Sequence, residues 1–223
     1  MLRGGGRPGG RPDDWSGDSR DNGSVTDQLS LSIWLEPGRR APQRQRYESM
    51  LRLFPFSQRA AQPQTTVLIR AIDTTEPPLL ERPMNGPPSI DEITEVLSGY
   101  TSADIAYELE SFWDLWQFDG DWKLSPSRVI LSSFGPDFDN GSSERSSNQE
   151  DLRIDFGVDT HFLPQPEIAG SARLVESNIK SLLRLVHEIE NQLPVRRRLL
   201  SSESGENFAE RLQRVLTVGS RTQ

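Results

Sequence analysis

Apolar and polar residues alternate along five stretches of this chain, the pattern of strands buried on one face. In residues 29–35, Leu29, Leu31, Ile33 and Leu35 oppose Ser30, Ser32 and Trp34. Residues 65–72 (TTVLIRAI) are rich in β-branched types. Residues 103–134 form the longest patterned stretch and read as two strands joined by a turn. In the first arm Ile105, Tyr107, Leu109, Trp113 and Leu115 share a face, against Asp104, Glu108, Glu110 and Asp114. Residues 152–162 alternate Leu152, Ile154, Phe156, Val158 and Phe162 with Arg153, Asp155, Asp159 and His161, and read as one continuous strand.

Asp119-Gly120 is the dipeptide of a two-residue type I′ turn, because both residues tolerate positive φ. With Phe118 and Asp121 flanking it, Leu115 is expected opposite Leu124, Leu109 opposite Ile130 and Ile105 opposite Phe134, all on the core face. The same register puts Lys123 across from Trp116, within reach of its indole. Pro126 marks an edge or a bulge. On the outer face, Glu108 and Glu110 give way to Phe112, Trp116 and Phe118, so the turn end of the hairpin is apolar on both sides.

Helical spacing appears four times. Tyr47, Met50, Leu51 and Phe54 recur at i, i+3, i+4 and i+7 before Pro55. Ser89 to Glu92 is a capping box opening a short helix with Ile90, Ile93, Val96 and Leu97, closed by Gly99. The spacing predicts a long helix over 171–193, with Val175, Ile179, Leu182, Val186, Ile189 and Leu193 on its stripe and Leu183 widening it. A last helix is expected at about 205–216, presenting Phe208, Leu212, Val215 and Leu216. The five prolines of 73–88 argue for an irregular connection, and the polar residues 135–150 for a second long loop. Arg39, Arg40, Arg44 and Arg46 read as a solvated basic run. Arg196, Arg197 and Arg198 read as cations at the negative end of the long helix.

These elements predict an α+β fold: a mainly antiparallel sheet of about five strands with helices packed on one face. The expected organisation is a disordered N-terminal tail (1–28), a single domain (29–217) with flexible loops 73–88 and 135–150, and a loose C-terminal tail (218–223). The tail is rich in glycine, and its Arg and Asp residues nearly cancel.

Composition narrows the function classes. A net charge of −8 argues against a nucleic-acid binder, which needs a clustered basic surface. The absence of cysteine removes disulfides, thiolate nucleophiles and Cys-based metal sites. No apolar run reaches the ~18 residues of a membrane span, and no export h-region opens the chain, so the expected location is the cytoplasm.

Candidate chemistry is sparse. No phosphate-binding glycine loop, H-E-x-x-H or G-x-S-x-G is present. Of the two histidines, His187 flanks the long helix's stripe and reads as a surface residue, while His161 shares its expected strand face with Asp155 and Asp159. Two carboxylates and an imidazole are a ligand set for Mn²⁺, Fe²⁺ or Zn²⁺, but successive residues on one flat strand converge poorly.

Two functional expectations follow. The leading one is a non-enzymatic module that binds another protein or a second copy of itself through Phe112, Trp116, Phe118 and Lys123, with no cofactor. The alternative is a small metal-dependent hydrolase built on Asp155, Asp159 and His161.

Overall fold

The structure is a computed structural model that describes residues 27–39, 41–60, 64–139, 149–202, Phe208 and Glu210. Seven strands form a single antiparallel sheet: β1 (Gln28–Leu35), β2 (Gln64–Ala71), β3 (Leu80–Asn85), β4 (Ile105–Phe118), β5 (Trp122–Phe134), β6 (Leu152–Val158) and β7 (Val195–Ser202). Their order is β3-β2-β4-β5-β6-β1-β7. Three helices have described bounds: α1 (Gln43–Leu53), α2 (Ile90–Leu97) and α3 (Ser171–Gln192).

The register runs one apolar row across six strands: Val67, Leu109, Leu131, Ile154, Leu31 and Leu200 are successive partners. Five of these, Val67, Leu109, Leu131, Ile154 and Leu31, are at most 1% exposed. Buried residues of all three helices, including Tyr47, Met50, Ile93, Leu97, Leu182, Leu185 and Ile189, belong to the same hydrophobic cluster as that row. Because successive strand residues face opposite ways, the next row (Leu68, Glu108, Ser132, Arg153, Ser32, Leu199) lies on the other face and is largely polar.

The sheet has seven strands rather than five, and both additions are edges. β3 lies inside the proline-rich connection, with Pro83 paired to Thr66. An edge strand tolerates proline because one side of its backbone needs no ladder bond. β7 follows Pro194 and carries the three arginines expected at a helix end. Instead, Arg197 stacks over the Trp34 ring at 4.4 Å and Arg198 pairs with Glu190. Charged side chains on an edge also discourage pairing with other chains.

Four further expectations change. First, the hairpin turn holds three residues, not two: Phe118 pairs with Trp122, Leu115 with Ser125, Leu109 with Leu131 and Ala106 with Phe134. Val129, Ile130 and Leu131 are consecutive apolar residues, so alternation alone leaves their phase open. The sheet sends Val129 and Leu131 into the core and Ile130 to the other face, against Asp155.

Second, β6 ends at Val158, and residues 159–162 form a 3₁₀ turn. Just before that end, Gly157 sits where the pairing of β6 with β1 shifts register between Asp155 and Val158, at φ +77°, a conformation that costs glycine little. Third, the buried stripe of α3 keeps Val175, Leu182, Val186, Ile189 and Leu193 as expected but is widened on a different side. Asn178 and Leu185 are buried, Leu183 is 58% exposed, and Ile179 is only partly buried. Fourth, Arg46 is not solvated. It lies 3% exposed on α1, its guanidinium 3.5 Å from the Asp151 carboxylate and donating to the Phe134 carbonyl. Asp151 in turn accepts the Leu35 N–H at 2.8 Å, so one buried ion pair joins α1, β1 and β5.

The expected N-terminal tail (apart from Asp27 and Gln28), the bulk of the last helix and residues 140–148 lie outside the described residues. Phe208 is described, packed edge-on to Phe162 at 6.4 Å. Among the described residues no helix is long and apolar enough to cross a membrane.

Candidate contact surface on the distal hairpin

β4 and β5 outrun their neighbours. β2 pairs with β4 only as far as Glu110, and β6 pairs with β5 only from Ile130 to Ser133. Residues 111–118 and 122–129 therefore continue as a two-stranded arm roughly 25 Å long. An arm that leaves its sheet exposes backbone, and here local groups satisfy it.

On the β4 edge, Phe56 bridges to Trp113 and the Ser57 N–H donates to the Phe112 carbonyl at 2.7 Å. Asp114 accepts from the Ser57 hydroxyl at 2.5 Å and the Gln58 N–H at 3.1 Å. Further along, the Asn178 amide accepts the Trp116 N–H at 2.9 Å and donates to the Trp116 carbonyl at 2.9 Å. Its Nδ2 also donates to the His161 carbonyl at 2.8 Å. A polar residue in the buried stripe of α3 thus replaces the missing neighbour strand.

The two faces of the arm differ. Towards the core, Trp113 is 3% exposed and sits among Phe54, Phe156 and Phe162, with ring centroids at 5.7, 5.6 and 6.3 Å. On the opposite face, the pairs Phe118–Trp122, Trp116–Leu124, Asp114–Pro126 and Phe112–Arg128 follow one another towards the sheet. Phe118 is 44% exposed, and Phe112, Trp116, Trp122, Leu124 and Pro126 all keep accessible surface. The Phe118 and Trp122 rings meet at 5.4 Å and 55°, and the Trp122 indole donates to the Ala169 carbonyl at 2.8 Å. Exposed Asp119 and Asp121 crown the turn, and Arg128 closes the other end with an ion pair to Glu110.

Of the expected contact residues, Phe112, Trp116 and Phe118 share this face. Lys123 does not: it pairs with Gln117, and the alternation turns it away from Trp116, whose partner is Leu124. Trp122 and Leu124 are the members that the two-residue turn concealed. The apolar run 129–131 leaves the register ambiguous, but an aromatic pair closing the hairpin would have selected the longer loop.

Asp155, Asp159 and His161 are not brought to one face. Asp155 lies on the Glu110 face, between Ile130 and Ser30. Burial pushes its carboxyl up to about 6, opposed by Arg153 and reinforced by Glu150 and Glu108. Asp159 is fully buried in the 3₁₀ turn. His161 lies on the core side of the hairpin, its Nδ1 3.5 Å from the hydroxyl of Ser127, which pairs with Trp113. Burial lowers its imidazole pKa. Among the described residues no group of three or more His, Cys, Asp or Glu side chains is placed to hold a metal ion.

Comparison of the chain with protein-family models, curated proteins and solved structures finds no match.

Proposed function

We propose that this protein acts by recognition, with the Phe112, Trp116, Phe118, Trp122 and Leu124 face of the distal hairpin as its contact surface for another protein. The observation that carries the reading is the accessible aromatic pair Phe118–Trp122 beside Trp116, on an arm whose edge is already satisfied by Asn178 and Ser57. A rigid, pre-paired arm presents aromatic area without ordering cost, and aromatic anchors inside a polar rim are the make-up of binding hot spots.

The reading takes the helices to cover only the Leu109 face of the sheet, and the shared cluster of helix residues with that face supports it. The rim is acidic at the turn, through Asp119 and Asp121, so the surface suits a partner segment that is apolar with basic neighbours. The hydrolase alternative depended on one wet strand face, and Asp155 and His161 lie on opposite faces of the hairpin and its sheet.

The test compares wild type with Phe118→Ala in co-purification from the native host, with melting temperature measured on both. Loss of the captured partner at unchanged melting temperature supports the reading. Unchanged capture by Phe118→Ala and by Trp116→Ala removes it.

A further inference from the structure

The two edges of the sheet differ. β3 carries Pro83, which has no N–H to donate. β7 contains no proline, and among the described residues its only strand neighbour is β1. In an antiparallel pair every second residue turns its N–H and C=O away from the partner strand. From Arg197 to Ser201, β7 therefore offers a row of outward backbone groups about 13 Å long.

The side chains at one end of that row are basic. Arg196, Arg197 and Arg198 are exposed, on a chain whose net charge is −8. The register shift between Trp34 and Leu35 sets one step of β1 against two of β7, so Arg196 is the extra residue of a bulge. Arg197 is the partner of Trp34, and its guanidinium lies 4.4 Å from the centroid of that ring. Trp34 is itself buried, which fixes the platform beneath the cation. A guanidinium stacked on a ring keeps its N–H fork in its own plane, open to a carboxylate arriving edge-on. Among the described residues neither Arg196 nor Arg197 forms an ion pair, whereas Arg198 is held by Glu190.

These charges select the occupant. A second copy of β7 has no carboxylate between Val195 and Ser202, so it could face the run only with arginine, serine or apolar residues. Like charges facing across strands destabilise a pair, and opposite charges stabilise it. An extended acidic segment completes the ladder and answers the arginines at once, while neutral and basic strands are turned away.

We propose that β7 is a strand-addition site, at which an extended acidic segment of another protein pairs with the free edge and sets carboxylates against Arg196 and Arg197. β6 and β1 separate this edge from the hairpin strand β5, so the proposal is independent of the contact reading above.

The test uses the full chain and three end-blocked synthetic peptides as long as β7. One alternates Glu and Val, the second has Lys in place of Glu, and the third is the Glu peptide N-methylated at every residue. Amide resonances and hydrogen exchange of residues 195–202 are followed during titration. In the free protein the outward amides of β7 should exchange readily. With the Glu peptide they should shift and gain protection, and the Lys and N-methylated peptides should bind at least about tenfold more weakly. Arg196→Glu should weaken the Glu peptide by about threefold or more at unchanged melting temperature, because that side chain is exposed and unpaired. No binding of the Glu peptide at about 1 mM, equal binding of either control, or undiminished affinity in Arg196→Glu would each overturn the proposal. Shifts confined to the distal hairpin would overturn it too. So would outward β7 amides already protected in the free protein, which would give the edge to another segment of this chain or, if protection rises with protein concentration, to a second copy.

Discussion

The side chain of Asn178 holds both backbone groups of Trp116, accepting its N–H and donating to its carbonyl, each at 2.9 Å. A residue of α3 therefore completes the ladder of a strand with no neighbour at that point, and fixes the residue at the centre of the aromatic face.

Asn178→Ala should accordingly destabilise the protein by about 1–3 kcal/mol, the cost of leaving buried backbone polar groups unpaired. Amide hydrogen exchange at Trp116 should accelerate more than at Leu109, whose ladder partners on both sides remain. Equal protection of Trp116 in variant and wild type would show that water or another group takes over.

The phase of α3 makes a paired prediction. Leu182 is 1% exposed and Leu183 58% exposed. Leu182→Ala should cost roughly 2–5 kcal/mol by leaving a cavity, whereas Leu183→Ala should stay within about 0.5 kcal/mol of wild type. Chemical denaturation of the two variants checks this, and similar losses in both would contradict the helix phase.

Arg46→Ala should cost about 3–5 kcal/mol, because it takes the Arg46 guanidinium away from the buried Asp151 carboxylate. Urea unfolding at neutral pH measures this. A loss below about 1 kcal/mol would mean that the pair behaves as a surface ion pair.

Asp155 yields a pH prediction. Its carboxyl is held up to about 6 by burial, with Arg153 opposing and Glu150 and Glu108 adding, while an unfolded aspartate titrates near about 3.9. The folded state therefore binds more protons between about pH 4 and 6, and this group's contribution to stability falls as pH rises through that window. Asp155→Asn removes the loss, so its advantage over wild type should grow from pH 4 to 7 and reach at most about 3 kcal/mol. His161, whose imidazole pKa is lowered by burial, contributes the opposite slope in both proteins and cancels in the comparison. Parallel stability profiles would refute the assignment.

Much of the fold was legible because long strands with one dry face announce themselves. The alternation of β1 and β4 and the helical spacing of α1, α2 and α3 carry through to the structure. The edge strands were not legible. β3 contains Pro83 and β7 opens Val-Arg-Arg-Arg, and edges accept such residues because part of their backbone faces outwards.

Asn178 escaped for a related reason: an amide in an apolar stripe makes sense only once the bare edge at Trp116 is known. For the aromatic face, Phe112, Trp116 and Phe118 were readable from one strand alone. Trp122, Leu124 and the departure of Lys123 depended on a register that three consecutive apolar residues left open.

The central claim is that the outer face of the distal hairpin is a contact surface and not a structural one. The most direct measurement is the amount of partner captured from the native host by Phe118→Ala relative to wild type, with melting temperature recorded on both. The account predicts at least a tenfold loss of capture with a melting temperature within about 2 °C of wild type, because Phe118 is 44% exposed and its truncation opens little cavity. Undiminished capture, or a melting temperature lowered by many degrees with association intact, would contradict it.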